Sequence, residues 1–207
     1  MLRPAVFLTL IASPAVAADP SFDCSKAESG AEKAICASDA LAELDLEVTR
    51  LYKLAVATPD MGDDRLNELK AMQRGWIKGR DECWKSDLGL ETCVANEYGF
   101  RIMDLRQGYA NARSADDDGI SMGPMVLACD GLDAMVGITF VNGSEPLAVM
   151  RWQENAIVLP RVPSASGAKY ETDMWYGGPS SLFTKGDEAL FTPPGGAEVT
   201  CKIEEIG

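Results

Sequence analysis

From Ala31 to Tyr109 the apolar positions recur every three or four residues, the period of helices that bury one face. Ser29 stands three residues before Glu32, so each side chain can cap the other's free backbone amide, and a short helix is predicted from Gly30. Ser38 and Asp39 offer a second cap ahead of Leu41, Leu44, Val48, Leu51 and Leu54, in a helix expected to end near Pro59. After the turn at 60–63, Leu66, Leu69, Met72 and Trp76 repeat the pattern, as do Val94, Tyr98, Ile102, Leu105 and Tyr109. A compact domain of three or four helices is expected over residues 21–113.

The texture then changes. Residues 114–124 combine a run of aspartates with glycine and proline and show no periodicity, which predicts a linker. Beyond it, short apolar runs at 125–128, 134–141, 147–152, 156–162, 169–175, 182–184, 189–192 and 199–203 alternate with turn residues, and Asn142-Gly143 marks a hairpin. Seven or eight antiparallel strands fit residues 125–207. Closing them into a barrel removes exposed sheet edges, and at that strand number side chains fill the interior. The expected fold is α+β in two domains, a small helical bundle followed by a seven- to eight-stranded antiparallel β-barrel, each with its own small core.

The N-terminus carries Arg3, an apolar stretch over 5–12 and Ala15-Val16-Ala17, the pattern of a secretory signal peptide over 1–17 cleaved near Ala17. The apolar stretch is shorter than the roughly 20 residues that cross a bilayer. Cys24 follows Pro-Ser-Phe-Asp, unlike a lipid-acylation site, so a periplasmic or secreted protein without a membrane anchor is expected. Six cysteines in an exported chain point to three disulfides. Cys129 and Cys201 lie in the first and last strands, neighbours in a closed sheet, and are expected to pair. Cys24, Cys36, Cys83 and Cys93 allow three pairings, of which short loops favour Cys24 with Cys36 and Cys83 with Cys93.

The chain has no histidine and no Cys-x-x-Cys, which removes the common zinc sites, the Ser-His-Asp and Cys-His nucleophiles and the usual neutral-pH base. No metal, cofactor or enzymatic activity is expected. Loss of Arg3 takes the 19 basic residues to 18 against 32 acidic ones, a formal charge of −14. Such a surface excludes nucleic acid as a natural partner and steers a basic protein toward it.

Ser164-Ala165-Ser166-Gly167-Ala168-Lys169-Tyr170, followed by Thr184-Lys185-Gly186-Asp187-Glu188-Ala189, resembles the MliC/PliC family of c-type lysozyme inhibitors through its Ser-Gly-x-x-Tyr and Lys-Gly elements. The resemblance covers roughly 125–207. It implies a non-enzymatic inhibitor whose Ser166 and Lys185 enter the lysozyme cleft, with Gly167 giving the loop access and Tyr170 bracing it. Gly177 to Ser181 lengthen the connection between the two elements, which leaves Lys169 as the alternative cation and a non-inhibitory envelope binding module as the alternative function. A hydrolase built on Asp187-Glu188 is disfavoured, since neighbours on a strand face opposite sides.

Residues 21–110 resemble the LprI-type domain, through Glu32-Lys33-Ala34-Ile35-Cys36, Leu41 with Asp45, Gln73-x-x-Trp76, Arg80-Asp81-x-Cys83, and Cys93 with Tyr98 and Arg101-Ile102. Arg80-Asp81 reads as an ion pair fixing a helix end. Three roles stay open for this half: extending the interface with lysozyme, forming a homodimer, or tethering the barrel.

Overall fold

The structure, a computed structural model, describes residues 18–113 and 118–205; the expected leader over 1–17 and positions 114–117 of the expected linker lie outside them. The helical half contains α1 (Gly30–Ala37), α2 (Asp39–Val56), α3 (Asp63–Asp81), α4 (Leu90–Gly108) and α5 (Ala110–Arg113). Ser29 Oγ accepts from the Glu32 amide at 3.0 Å and Glu32 returns the bond to the Ser29 amide at 3.0 Å, which starts α1. Ser38 caps α2 through the Leu41 amide. Ile35, Leu44, Val48, Leu51, Leu69, Tyr98, Ile102 and Leu105 fill the core between the helices. Disulfides Cys24–Cys36 and Cys83–Cys93 secure the chain entering α1 and the α3–α4 connection.

The barrel is a closed antiparallel meander of β1 (Ser121–Cys129), β2 (Val136–Val141), β3 (Leu147–Trp152), β4 (Asn155–Val162), β5 (Ala168–Thr172), β6 (Ser180–Lys185), β7 (Glu188–Thr192) and β8 (Val199–Glu205). Cys129 lies opposite Cys201 where β1 meets β8, and the two are bonded. Closing that 72-residue separation contributes about 4 kcal/mol in the chain-entropy account. Ile138, Phe140, Met150, Trp152, Ile157, Leu159, Leu182 and Phe191 point inward and pack the interior. Between β2 and β3 the connection spans residues 142–146, longer than the tight turn that Asn142-Gly143 suggests, and Glu43 of α2 accepts from the Ser144 amide within it at 2.6 Å.

The barrel interior is a core of its own, whereas the helical core extends onto the outer wall of the barrel. Val141, Leu147, Val149 and Val158 face outward from β2–β4 and are buried in the same cluster as the helical core residues. Gly99 of α4 makes this approach fit, since a Cβ there would stand 3.0 Å from Val149 Cγ2 and 3.4 Å from Val158 Cγ2. Each aliphatic side chain so covered stabilises the junction by at most about 1.5–3 kcal/mol. A barrel without its helices would expose this patch to water.

Buried charges complete the junction. Arg106 of α4, fully buried, donates from Nε to the Gly123 carbonyl at 2.6 Å and from Nη1 to the Ser121 carbonyl at 3.0 Å. Glu47 of α2 accepts from the Ser121 hydroxyl and amide and from Arg50, whose Nε and Nη2 each stand 2.8 Å away. These bonds order Ser121 to Gly123 as strand, so β1 begins inside the stretch 114–124 that its composition marks as linker. Asp104 of α4 pairs with Arg151 of β3, and Arg151 lies over the Phe100 ring at 5.4 Å.

Burial would raise the Glu47 pKa, but the bonds from Arg50 and Ser121 outweigh it and hold the carboxyl below its ordinary value. A carboxyl depressed on folding contributes stability above its unfolded pKa of about 4.3, and loses it as pH falls through the lower folded value. Glu47→Gln is expected to lower unfolding stability at neutral pH by about 1.5–3 kcal/mol, the worth of a charged hydrogen-bond acceptor. In urea titrations the gap to the wild type should narrow near pH 3; an equal loss at both pH values would contradict this role.

Candidate functional site

The β4–β5 loop, residues 163–167, and the β6–β7 turn meet at one end of the barrel. Strands β5 and β6 pair in the register Ala168 with Thr184 and Lys169 with Phe183, so one step further Gly167 comes beside Lys185. Gly167 has φ +68°, and a Cβ there would lie 2.4 Å from the Thr184 carbonyl oxygen. Both facts require glycine. Lys185 pairs with Glu188 across the two-residue turn Gly186-Asp187, where Gly186 takes φ +62° at the first central position, as a type II′ hairpin needs. Ser164 Oγ donates to the Ser166 carbonyl at 2.8 Å and shapes the neighbouring loop.

Ser166, Gly167 and Lys185 are all exposed on this rim. The Lys185 ammonium has no ion-pair partner among the described residues. Lys169, one pleat along β5, is paired with Glu171 at 2.5 Å and lies on the barrel wall. The residues that lengthen the β5–β6 connection, including Gly177 and Gly178, lie at the opposite end of β5 and leave the rim register untouched.

Tyr170, placed by the family pattern among the contact residues, is 3% exposed and belongs to the barrel interior, with its ring 5.7 Å from that of Phe140. An inward position on the strand pleat explains this, and any support it gives the loop comes from inside. Burial raises the Tyr170 pKa, partly offset by Arg161 beside it. Arg161, Met122, Asn142 and Asp187 line a hollow at the barrel mouth next to the rim. Arg161 and Met122 carry no local pattern, Asn142 and Asp187 stood out only in their own turns, and strand register gathers the four.

The LprI-type motif residues form a structural network in the helical half. Asp45 accepts from the Tyr98 hydroxyl at 2.8 Å, and Tyr98 accepts from Arg80 Nη1 at 2.9 Å. Arg80 also bonds Asp81 at 2.8 Å, and Asp81 accepts from Ser29 Oγ at 3.3 Å. Trp76 Nε1 donates to the Glu97 carbonyl at 3.0 Å and its ring meets Tyr98 edge-on. Burial and the Asp45 charge push the Tyr98 phenol well above its ordinary pKa, so it stays a neutral donor. Among the described residues no three His, Cys, Asp or Glu side chains converge in a metal-binding group. No described helix is long and apolar enough to cross a membrane. The Cys24 sulfur is committed to Cys36.

Gly167→Ala forces a side chain into the left-handed region, at about 1–2 kcal/mol, and adds the clash with Thr184. Gly186→Ala meets open space and carries the backbone cost alone. Thermal unfolding is expected to show the larger loss for Gly167→Ala; equal losses would mean that the close approach to Thr184 is absent.

Comparison with known proteins covers both halves. Residues 24–105 match the family model described as lysozyme inhibitor LprI, and residues 128–200 match the one described as membrane-bound lysozyme-inhibitor of c-type lysozyme, MliC. Lipoprotein LprI of Mycobacterium bovis and that of Mycobacterium tuberculosis are each 28% identical to the chain over 179 residues, 80% of this chain and 83% of theirs. No solved structure matches the chain. The helical half is thus similar to LprI-type domains over residues 24–105, and the barrel to MliC-type domains over residues 128–200.

Proposed function

We propose that the chain inhibits c-type lysozyme by seating the Ser166–Lys185 rim in the enzyme's catalytic cleft. The observation that carries this reading is the pairing of an exposed ammonium, without an ion partner among the described residues, with a serine-glycine turn on the adjacent strand. The family descriptions matched by both halves agree with it. A retaining glycosidase works with two carboxyl groups about 5–5.5 Å apart. Adjacent strands are about 4.8 Å apart, so groups on two neighbouring strands can meet both carboxyls at once. The Lys185 ammonium pairs with the ionised one, while the Ser166 hydroxyl donates to or accepts from the other in either protonation state. Neither can then deliver a proton or attack a sugar.

Export after cleavage near Ala17 would put the inhibitor where such an enzyme acts. The lengthened β5–β6 connection, the motive for a non-inhibitory module, lies at the far end of the barrel from the rim. A mature charge of −14 would draw a basic enzyme toward the protein, so salt should slow association through screening over about 8 Å at physiological ionic strength.

Lys185→Ala is expected to weaken inhibition by about 2–5 kcal/mol, thirtyfold or more, because the enzyme's buried carboxylate loses its counter-charge. Ser166→Ala should cost about 1.5–3 kcal/mol, and Lys169→Ala little. Inhibition assays and calorimetry on the three folded variants decide the matter: a dominant effect of Lys169 would relocate the charge, and three silent variants would refute cleft insertion.

A further inference from the structure

The helical half holds a second feature that neither the rim nor the structural network uses. Near the Asp63 end of α3 and the Gly108 end of α4, the two helices border a hollow of about 700 Å³. Arg101 of α4 lines it, although the residue is only 3% exposed. Its Nε donates to Gln73 Oε1 at 2.9 Å, which fixes the guanidinium plane. Its Nη2 is buried and has no acceptor among the described residues. A strut between helices needs only the Nε bond. A buried guanidinium left partly unbonded is costly, and such groups concentrate at binding sites.

The charges around the hollow restrict what can occupy it. Arg65 is engaged, with Nη2 donating to the Gly108 carbonyl at 2.7 Å and the guanidinium over the Tyr109 ring at 5.2 Å. Asp104 is engaged by Arg151. Arg65 keeps its charge, since its partners are a carbonyl and a ring, and Asp104 is near enough to Arg101 to act on it electrostatically. The Arg101 Nη2 still lacks an acceptor, and Asp64 and Glu68 are exposed carboxylates without ion-pair or hydrogen-bond partners among the described residues. The hollow thus presents an unbonded donor on one wall and unpaired carboxylates at its edge, and a molecule carrying both charges matches it better than a simple anion or a simple cation.

We propose that this hollow binds a small zwitterion, a free amino acid or a short peptide, with its carboxylate on Arg101 and its ammonium at Asp64 and Glu68. Arg101 supplies a planar fork suited to a carboxylate, held in place by Gln73. The exposed carboxylates select for the second charge. Met72 gives a short apolar edge to the same hollow.

The test uses the full mature chain and the series glycine, diglycine and triglycine, which moves the ammonium progressively away from the carboxylate. Acetate and methylammonium serve as single-charge controls. Binding is read from the NMR signals of the Gln73 side-chain amide and the Arg101 Nε–H. At least one member of the series is expected to shift them saturably, with Kd on the order of a millimolar, while the controls do not at equal concentration. Binding of glycine itself would assign a free amino acid, and binding of only the longer members a peptide. The surface pair Asp64→Asn with Glu68→Gln should weaken binding at least about fivefold without touching the core. Arg101→Lys should abolish it if the variant folds. No saturable shift by any member, acetate binding as tightly as the zwitterions, or unchanged affinity in the surface pair would each overturn the proposal.

Discussion

Arg106 and Glu47 are two buried charges that meet the same short stretch of chain from opposite helices, and the arrangement of the two halves depends on them. Arg106 binds the carbonyls of Ser121 and Gly123, while Glu47 binds the Ser121 amide and hydroxyl. Placing these charges in the interior costs several kcal/mol each unless their bonds are satisfied, and here backbone groups of β1 are among the partners. Removing either half would strand a charge. The apolar contact of Gly99 with Val149 and Val158 adds area, and the charged bonds fix position and register.

This construction makes the barrel a bracket with two distinct ends. At the end beside Ser121, Glu43 of α2 holds the β2–β3 loop, and the Ser166–Lys185 rim projects from the neighbouring strands. At the other end the lengthened β5–β6 connection carries Trp175, whose ring meets Phe100 of α4 edge-on at 6.3 Å. The helices thus grip the barrel wall and both of its ends. The rim is carried on paired strands and tight turns, which holds its groups in place and would limit the ordering cost of any binding there.

Much of this was legible in the chain. Capping at Ser29 and Ser38, the helical spacing from Leu41 to Leu54, and the short apolar runs after residue 125 all correspond to observed elements. The junction also left a trace that alternation-based reading passes over. Phe140-Val141, Leu147-Ala148-Val149-Met150 and Ile157-Val158-Leu159 are continuously apolar, as strands buried on both faces must be, whereas Leu182 and Phe183 precede Thr184 and Lys185 where β6 reaches the surface. Arg106 and Glu47 were not legible, because a single charge on a helix looks the same in sequence whether it faces water or a neighbouring strand, and Arg101 was marked only as part of a motif, without its burial. Ser166, Gly167 and Lys185 stood out through family resemblance, and only register shows that they adjoin. Tyr170 carries the same motif yet points inward, since one residue along a strand reverses the face.

Cleft insertion by the rim fixes where a lysozyme would sit on this molecule. A crystal structure of the full mature chain bound to a c-type lysozyme measures it directly. The expected result places the Lys185 ammonium within about 3 Å of one catalytic carboxyl and the Ser166 hydroxyl within hydrogen-bonding reach of the other. An inhibited complex in which the enzyme docks on the helical half or on the β5–β6 end, with Ser166 and Lys185 left in solvent, would refute insertion of the rim.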